Sequence, residues 1–441
     1  MAEDYRGIAD QVGADISAGR LRPGERLPTQ RRFARDRRIA VSTASRVYGE
    51  LVRRGLVVGE VGRGTFVRTT ERATEVLTEP ARAGVDLEFN FPILPGQAEL
   101  LAPSLAGLVR PDVLTAALRP ATVSGTTEAR ETAAEFLSRP HWSPQPEEIL
   151  FAGNGRQALA ATVAALVGPG ERLGVEALTY PVMKGIAARL GVTLVPLAMD
   201  AHGIEPAALR TAGVRAVYLQ PTLHNPLGIT MPEDRRVDVA AVLAELGLPA
   251  IEDMVNGFLE PTVTPLAALA PYQTVLVDSL TKRLAPGLTT GFVVAPRMLK
   301  SGLSSALRSG GWTAPAFAVE AATRWIADGS VAKIVAAKLD DAQARQRIAA
   351  DRLTGFTVSA NPSAYHLWWS LPAPWRAETF VGAAARHGIA VTPAAAFTTG
   401  PGQAPNAIRL ALASPPIEIL EQALEALAEV ARSTPDDTDY E

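Results

Sequence analysis

In residues 5–18 the apolar positions Ile8, Val12 and Ile16 fall four apart and the run stops at Gly19, which predicts an amphipathic helix closed by a glycine. Residues 20–28 form a turn-rich connector. Thr29 is placed to cap a helix reaching Arg38, and Ser42 to cap a second helix reaching Arg54. Residues 56–58 and 65–67 then bracket a glycine-rich run, the pattern of a two-stranded hairpin. Helix, tight turn, helix and hairpin together predict a winged helix-turn-helix over residues 1–70.

Residues 71–86 lose this periodicity, are rich in small and polar residues, and read as a linker. Beyond them, Ala- and Leu-rich helical segments such as 157–166 alternate with the strand-like runs 194–197, 216–219, 250–251 and 274–277. That alternation predicts a mainly parallel sheet covered by helices over residues 87–432, with a ligand site in the loops at the strand ends. Residues 433–441 are an acidic tail, expected to be disordered.

Charge sharpens the division. The net charge is -3, yet residues 1–70 hold fourteen arginines against eight acidic residues, so the rest of the chain is acidic. A basic end on helical segments is the footprint of a nucleic-acid-binding module. In a winged helix the second helix enters the major groove, which brings Ser42, Thr43, Ser45 and Arg46 to base edges and phosphates of double-stranded DNA. Arg31 and Arg63 would meet the backbone or the minor groove. With no cysteine and five scattered histidines, the composition points away from disulfides and from a zinc or iron enzyme. No apolar run has the length of a membrane span and the N-terminus lacks a signal-peptide pattern, so a cytoplasmic location is expected.

Lysine is rare here: Lys184, Lys282, Lys300, Lys333 and Lys338 are the five in the chain. Lys282 follows directly on the strand-like run 274–278. An amine that can lose its proton, which arginine cannot supply, suits a Schiff base to a carbonyl cofactor; a solvated loop lysine is the alternative.

Three ordered motifs carry a resemblance: Gly19-Arg-Leu-Arg-Pro-Gly-Glu-Arg-Leu-Pro-Thr29, Val41-Ser-Thr-Ala-Ser-Arg-Val-Tyr48 and Gly62-Arg-Gly-Thr-Phe-Val67. The first 70 residues resemble the winged-helix domain of GntR-type bacterial transcription regulators. In that family an arginine usually follows the Val-Ser pair; here Thr43 stands there, and phosphate contact passes to Arg46. The order Asn225-Pro-Leu-Gly228, Asp253, Lys282 resembles the fold-type I aminotransferases, which use pyridoxal 5'-phosphate and are built from large and small subdomains. The resemblance implies that Lys282 forms the internal aldimine, that Asp253 pairs with the pyridinium nitrogen and that Asn225 donates to the phenolate oxygen. It also implies that Tyr180 stacks on the ring and that Gly155 and Arg156 open a phosphate-binding helix. Ser279 and Thr281 join them beside the lysine, and Arg409 pairs with the effector's α-carboxylate.

The two resemblances together are those of the MocR subfamily, implying a homodimer. The departures bear on its cofactor. The family's phosphate-neutralising arginine, seven residues after the lysine, is replaced by Thr289, and its aromatic hydroxyl near the ring aspartate by Val255 and Asn256. A buried phosphate without a cation is costly, so either Arg156 or Arg283 substitutes, with Arg156 favoured by its place at the helix start, or cofactor affinity is weak. Three readings stay open: a regulator sensing an amino-acid-like or B6-related effector through cofactor on Lys282, a regulator that has lost the cofactor and reads another small anion, and a working aminotransferase with a DNA-binding appendage.

Overall fold

The computed structural model describes residues 5–22, 25–60, 64–67, 84–118, 121–400 and 404–435. The N-terminal module comprises α1 (Tyr5–Ser17), α2 (Gln30–Arg37), α3 (Val41–Arg53) and an antiparallel hairpin of β1 (Val57–Glu60) and β2 (Gly64–Val67). Its core gathers Ile8 and Val12 from α1, Phe33 from α2, Val47, Tyr48 and Leu51 from α3, and Val57 and Val67 from the wing. Each such buried side chain contributes roughly 1.5–3 kcal/mol. The Thr29 hydroxyl caps α2 by accepting from the Arg32 N–H, 3.3 Å. Arg38 closes α2 in the left-handed region, φ 55°, returning its N–H to the carbonyls of Ala34 and Arg35.

The start of α3 differs from expectation. Ala40, extended at ψ 149°, precedes the helix, and Ser42 lies inside the first turn rather than capping it. The burial of Ala44, Val47, Tyr48 and Leu51 sets the register of α3, so packing overrides the better capping residue.

The expected linker lies mostly outside the described residues, but its last residues belong to the next module: β3 (Val85–Leu87) pairs in parallel with a strand near the C-terminus. Seven strands form the large sheet: β4 (Ile149–Ala152), β5 (Arg172–Glu176), β6 (Thr193–Leu197), β7 (Ala216–Leu219), β8 (Ala250–Asp253), β9 (Thr274–Ser279) and β10 (Gly291–Val294). Their order is β4-β10-β9-β8-β7-β5-β6, with β10 antiparallel to both neighbours and the remaining pairs parallel. Alternate residues serve opposite faces. Leu150, Val275, Val277 and Val293 pack beneath α4 (Gly155–Leu166) and α5 (Pro181–Leu190), while Ile149, Phe151, Leu276 and Phe292 pack on helices 127–137 and 316–327. Burial on both faces explains why these strands read as unbroken apolar runs.

After the short α6 (Leu280–Arg283), the long α7 (Ser330–Arg352) leads to a five-stranded sheet of β11 (Thr357–Ala360), β12 (His366–Ser370), β13 (Ile389–Pro393), β14 (Ala407–Ala411) and β3, in the order β11-β12-β14-β13-β3. With α8 (Ala377–Arg386) and α9 (Ile417–Arg432) it encloses a core around Trp369, Trp375, Phe380, Leu420 and Leu424. Asp10 of α1 accepts from Arg54 at the end of α3, 2.7 Å, and from Arg376 ahead of α8, 2.6 and 3.0 Å, joining the two modules. Among the described residues no helix is long and apolar enough to cross a membrane.

Candidate functional site

The carboxyl ends of β7, β8 and β9 open into a cavity of about 380 Å³, walled on its far side by the small sheet and by the segment 88–91. Asn225, Asp253, Lys282, Tyr180, Gly155, Arg156, Ser279, Thr281 and Arg409, scattered over most of the chain, all line it. Thr289, Val255 and Asn256 do so as well.

Asp253 ends β8 at 2% exposure. Its Oδ2 accepts from the Tyr218 hydroxyl, 2.7 Å, and from Gln220 Nε2, 3.0 Å, while Oδ1 accepts from the Val255 N–H, 3.1 Å. Burial pushes its pKa up to about 6 against the pull of these donors, so the group is ionised at neutral pH. Asn225 follows in the loop after β7, and its side-chain oxygen is buried without a partner. An uncommitted buried amide in a cavity is open to a ligand.

Lys282 is half-buried on α6, and its Nζ donates to the Asn90 carbonyl and lies 4.4 Å from the centre of the Phe91 ring. Burial, followed by the Arg409, Arg156 and Lys338 charges, lowers its pKa to about 7, leaving a large neutral fraction at neutral pH. This is no solvated loop lysine. Lys338 on α7 fixes its backbone, with Nζ donating to the carbonyls of Lys282, 3.0 Å, and Leu284, 2.7 Å.

At the other end, Asn154 caps α4 by accepting from the Gln157 N–H, 2.9 Å, and Gly155 opens the helix. A methyl group on Gly155 would stand 2.9 Å from Ser279 Oγ, so the bare backbone keeps this corner open. The Thr281 and Thr289 hydroxyls pair at 2.8 Å where the family's arginine would lie. Arg156 stands at this end beside the Tyr180 hydroxyl, and burial raises the Tyr180 pKa. Arg283 points elsewhere. One terminal nitrogen pairs with Asp278, its Nε is buried without a partner, and the guanidinium lies between the rings of Phe136 and Phe258, at 4.7 and 5.2 Å; it does not line the cavity and supplies no cation there. Asn256 turns its amide to the Leu223 carbonyl, 3.3 Å.

Arg409 sits mid-strand in β14 at 7% exposure. One terminal nitrogen donates to the Glu88 carbonyl, 2.7 Å, and to Thr392 Oγ1, 3.3 Å, while its Nε is buried without a partner. Burial lowers its pKa to about 10, which still leaves it charged. This is a ligand-ready cation rather than a surface ion pair.

Sequence reasoning missed Tyr218, Gln220, Lys338, Glu88 and His366. Tyr218 sits inside an apolar strand, and only the register that sets it opposite Ile251 brings its hydroxyl to Asp253. Lys338 could have been found from the rarity of lysine.

On the N-terminal module, Arg31 on α2 and Ser42, Ser45 and Arg46 on α3 are exposed, and Thr43 is half-buried. The Arg46 guanidinium lies 5.9 Å from the centre of the Tyr5 ring. Arg63 falls outside the described residues.

An exposed basic helix beside a wing, joined to an α/β unit of this architecture, defines a DNA-binding regulator with a fold-type I aminotransferase-like domain. Residues 4–67 match the gntR family of bacterial regulatory proteins, and residues 118–427 match aminotransferase class I and II. The chain is 30% identical over 431 residues, covering 96% of its length and 93% of the relative, to the "Uncharacterized HTH-type transcriptional regulator YdeF" of Bacillus subtilis. It is 25% identical over 301 residues, 66% of this chain and 65% of the relative, to the "HTH-type pyridoxine biosynthesis transcriptional regulator PdxR" of Corynebacterium glutamicum. Its fold matches LysN, the α-aminoadipate aminotransferase of Thermus thermophilus solved with N-(5'-phosphopyridoxyl)-L-leucine, at a TM-score of 0.73 and 22% identity over 82% of this chain and 95% of that one. The chain belongs to the GntR-type transcriptional regulators that carry an aminotransferase domain, the MocR subfamily.

Proposed function

We propose that this regulator reads a double-stranded operator through α3 as a homodimer, holds pyridoxal 5'-phosphate covalently on Lys282, and responds to an amino-acid-like or B6-related effector engaged by Arg409. The observation that carries this reading is the convergence of a depressed lysine, an ionised carboxylate, an uncommitted amide and a desolvated arginine on one cavity. Asp253 would hold the ring nitrogen, Asn225 the phenolate oxygen and Tyr180 the ring face. The phosphate falls to the N-terminus of α4 with Ser279 and Thr281, and to Arg156 in place of the family's missing arginine. When bound, the cofactor supplies a carbonyl for which an effector's amine can compete. Lys282 offers it a neutral amine, and Arg409 orients the effector by its carboxylate. An effector shifts the DNA-bound arrangement only as far as its affinities for the two arrangements differ. On this reading the protein acts on DNA in the cytoplasm.

The test is the visible absorption of the full chain with added pyridoxal phosphate. A band present in the native protein and lost in Lys282→Ala is expected; no band in either protein overturns the reading. The rate of loading should rise about tenfold per pH unit below pH 7, as the Lys282 ammonium gives up its proton, and level off above it. A rate flat between pH 5 and 7 would mean that another group accepts the cofactor.

A further inference from the structure

The effector end of the cavity holds a side chain that the resemblance does not assign. His366 opens β12, which pairs with β14 so that His366 faces Ala411 and Trp368 faces Arg409. Leu367 and Trp369 point into the small-sheet core, while Trp368 packs with Phe397, the ring over which Arg409 lies at 5.3 Å. Strand alternation therefore places His366 on the same face as Arg409, one diagonal step away, and it lines the cavity at 3% exposure.

Its tautomer follows from its partner. His366 Nε2 lies 3.0 Å from the His224 carbonyl oxygen, in the loop that also carries Asn225. A carbonyl only accepts, so Nε2 carries the hydrogen and Nδ1 of the neutral ring is a bare acceptor. The His224 carbonyl also accepts from the Gly228 N–H, 2.6 Å, which fixes the anchor. Burial, and after it the Arg409, His224 and Lys282 charges, depresses the imidazole to about 3 despite the hydrogen bond to His224, so the ring stays neutral. The half-buried Glu88 adds a carboxylate to the same end.

We propose that His366 is a specificity-determining residue: the ligand whose carboxylate meets Arg409 is an amino acid whose side chain carries a hydrogen-bond donor, hydroxyl, amide or ammonium, which Nδ1 accepts. This rests on the amino-acid-effector reading above. An aliphatic side chain of the same shape would bury Nδ1 without a partner, and a site built around one hydrogen bond rejects such an analogue.

The experiment titrates the cofactor-loaded full chain with isosteric pairs, threonine against valine and asparagine against leucine, following the visible absorption. In the native protein the donor-bearing member of each pair binds roughly tenfold or more tightly. His366→Leu removes the preference, and His366→Gln, whose amide oxygen accepts, restores part of it. Equal affinities within both pairs in the native protein overturn the proposal without recourse to any variant, as does a preference that survives in a folded His366→Leu protein. A native protein that loads cofactor but answers to none of the four amino acids also overturns it, whereas one that shows no visible band fails the underlying reading first.

Discussion

The winged helix and the cavity both depend on arginine and treat it in opposite ways. Arg31, Arg35 and Arg46 are exposed, and Arg32 meets Asp36 only at 3.6 Å with both side chains largely in solvent, whereas Arg54, buried and held by Glu50 and Asp10 at 2.8 and 2.7 Å, serves the module's own packing. Arg409 is stripped of water and tied to a main-chain carbonyl and a hydroxyl. On the reading proposed above, the contrast follows from the partner. A DNA backbone is a long array of charges that binds by releasing counterions, so its cations must reach solvent and stay adaptable. A single small carboxylate repays only a cation that is already desolvated and held in place. Arginine count alone cannot separate the two; burial and bonding partners can.

The strongest way to break this comparison is Arg283→Ala. That residue is adjacent to Lys282 in sequence but belongs to the core, and removing it strands the buried Asp278 carboxylate, costing about 3–5 kcal/mol in denaturant unfolding. A loss below about 1 kcal/mol would class it with the surface arginines. Arg156, exposed at the cavity mouth, tests the intermediate case. Arg156→Ala should weaken pyridoxal phosphate affinity about tenfold by absorbance titration; an unchanged affinity would hand the phosphate to the Thr281 and Thr289 hydroxyls. The smallest effect is expected of Arg46→Ala. Operator affinity should fall a few-fold at any sequence, with the slope of log affinity against log salt reduced by about one. If neither changes, α3 is not the helix that meets the phosphates.

Much of this was legible in the sequence because it rests on local rules. Ile8, Val12 and Ile16 gave α1 by their spacing, and the unbroken apolar run 274–277 gave β9 because both of its faces are covered. Asn225, Asp253 and Lys282 could be read because each stands at or just beyond the end of such a strand. His366 could not, since it opens a strand of the other sheet and reaches the cavity only through pairing with a distant strand and a bond to the far-off His224 carbonyl. Val85 and Asp86 were assigned to the linker because a three-residue strand leaves no periodicity; only pairing with β13 defines it. The sequence favoured Arg156 over Arg283 for the missing cation by its place at a helix start, and the structure turns Arg283 away from the cavity, onto Asp278.

The segment that follows β3 carries a final consequence. Its carbonyls at Glu88 and Asn90 accept from Arg409 and Lys282, the two side chains that the reading above assigns to a carboxylate and a cofactor carbonyl. A ligand drawing on the same donors would compete with these two main-chain bonds, so residues 88–90 are the part of the cavity wall whose anchorage depends on whether the site is filled.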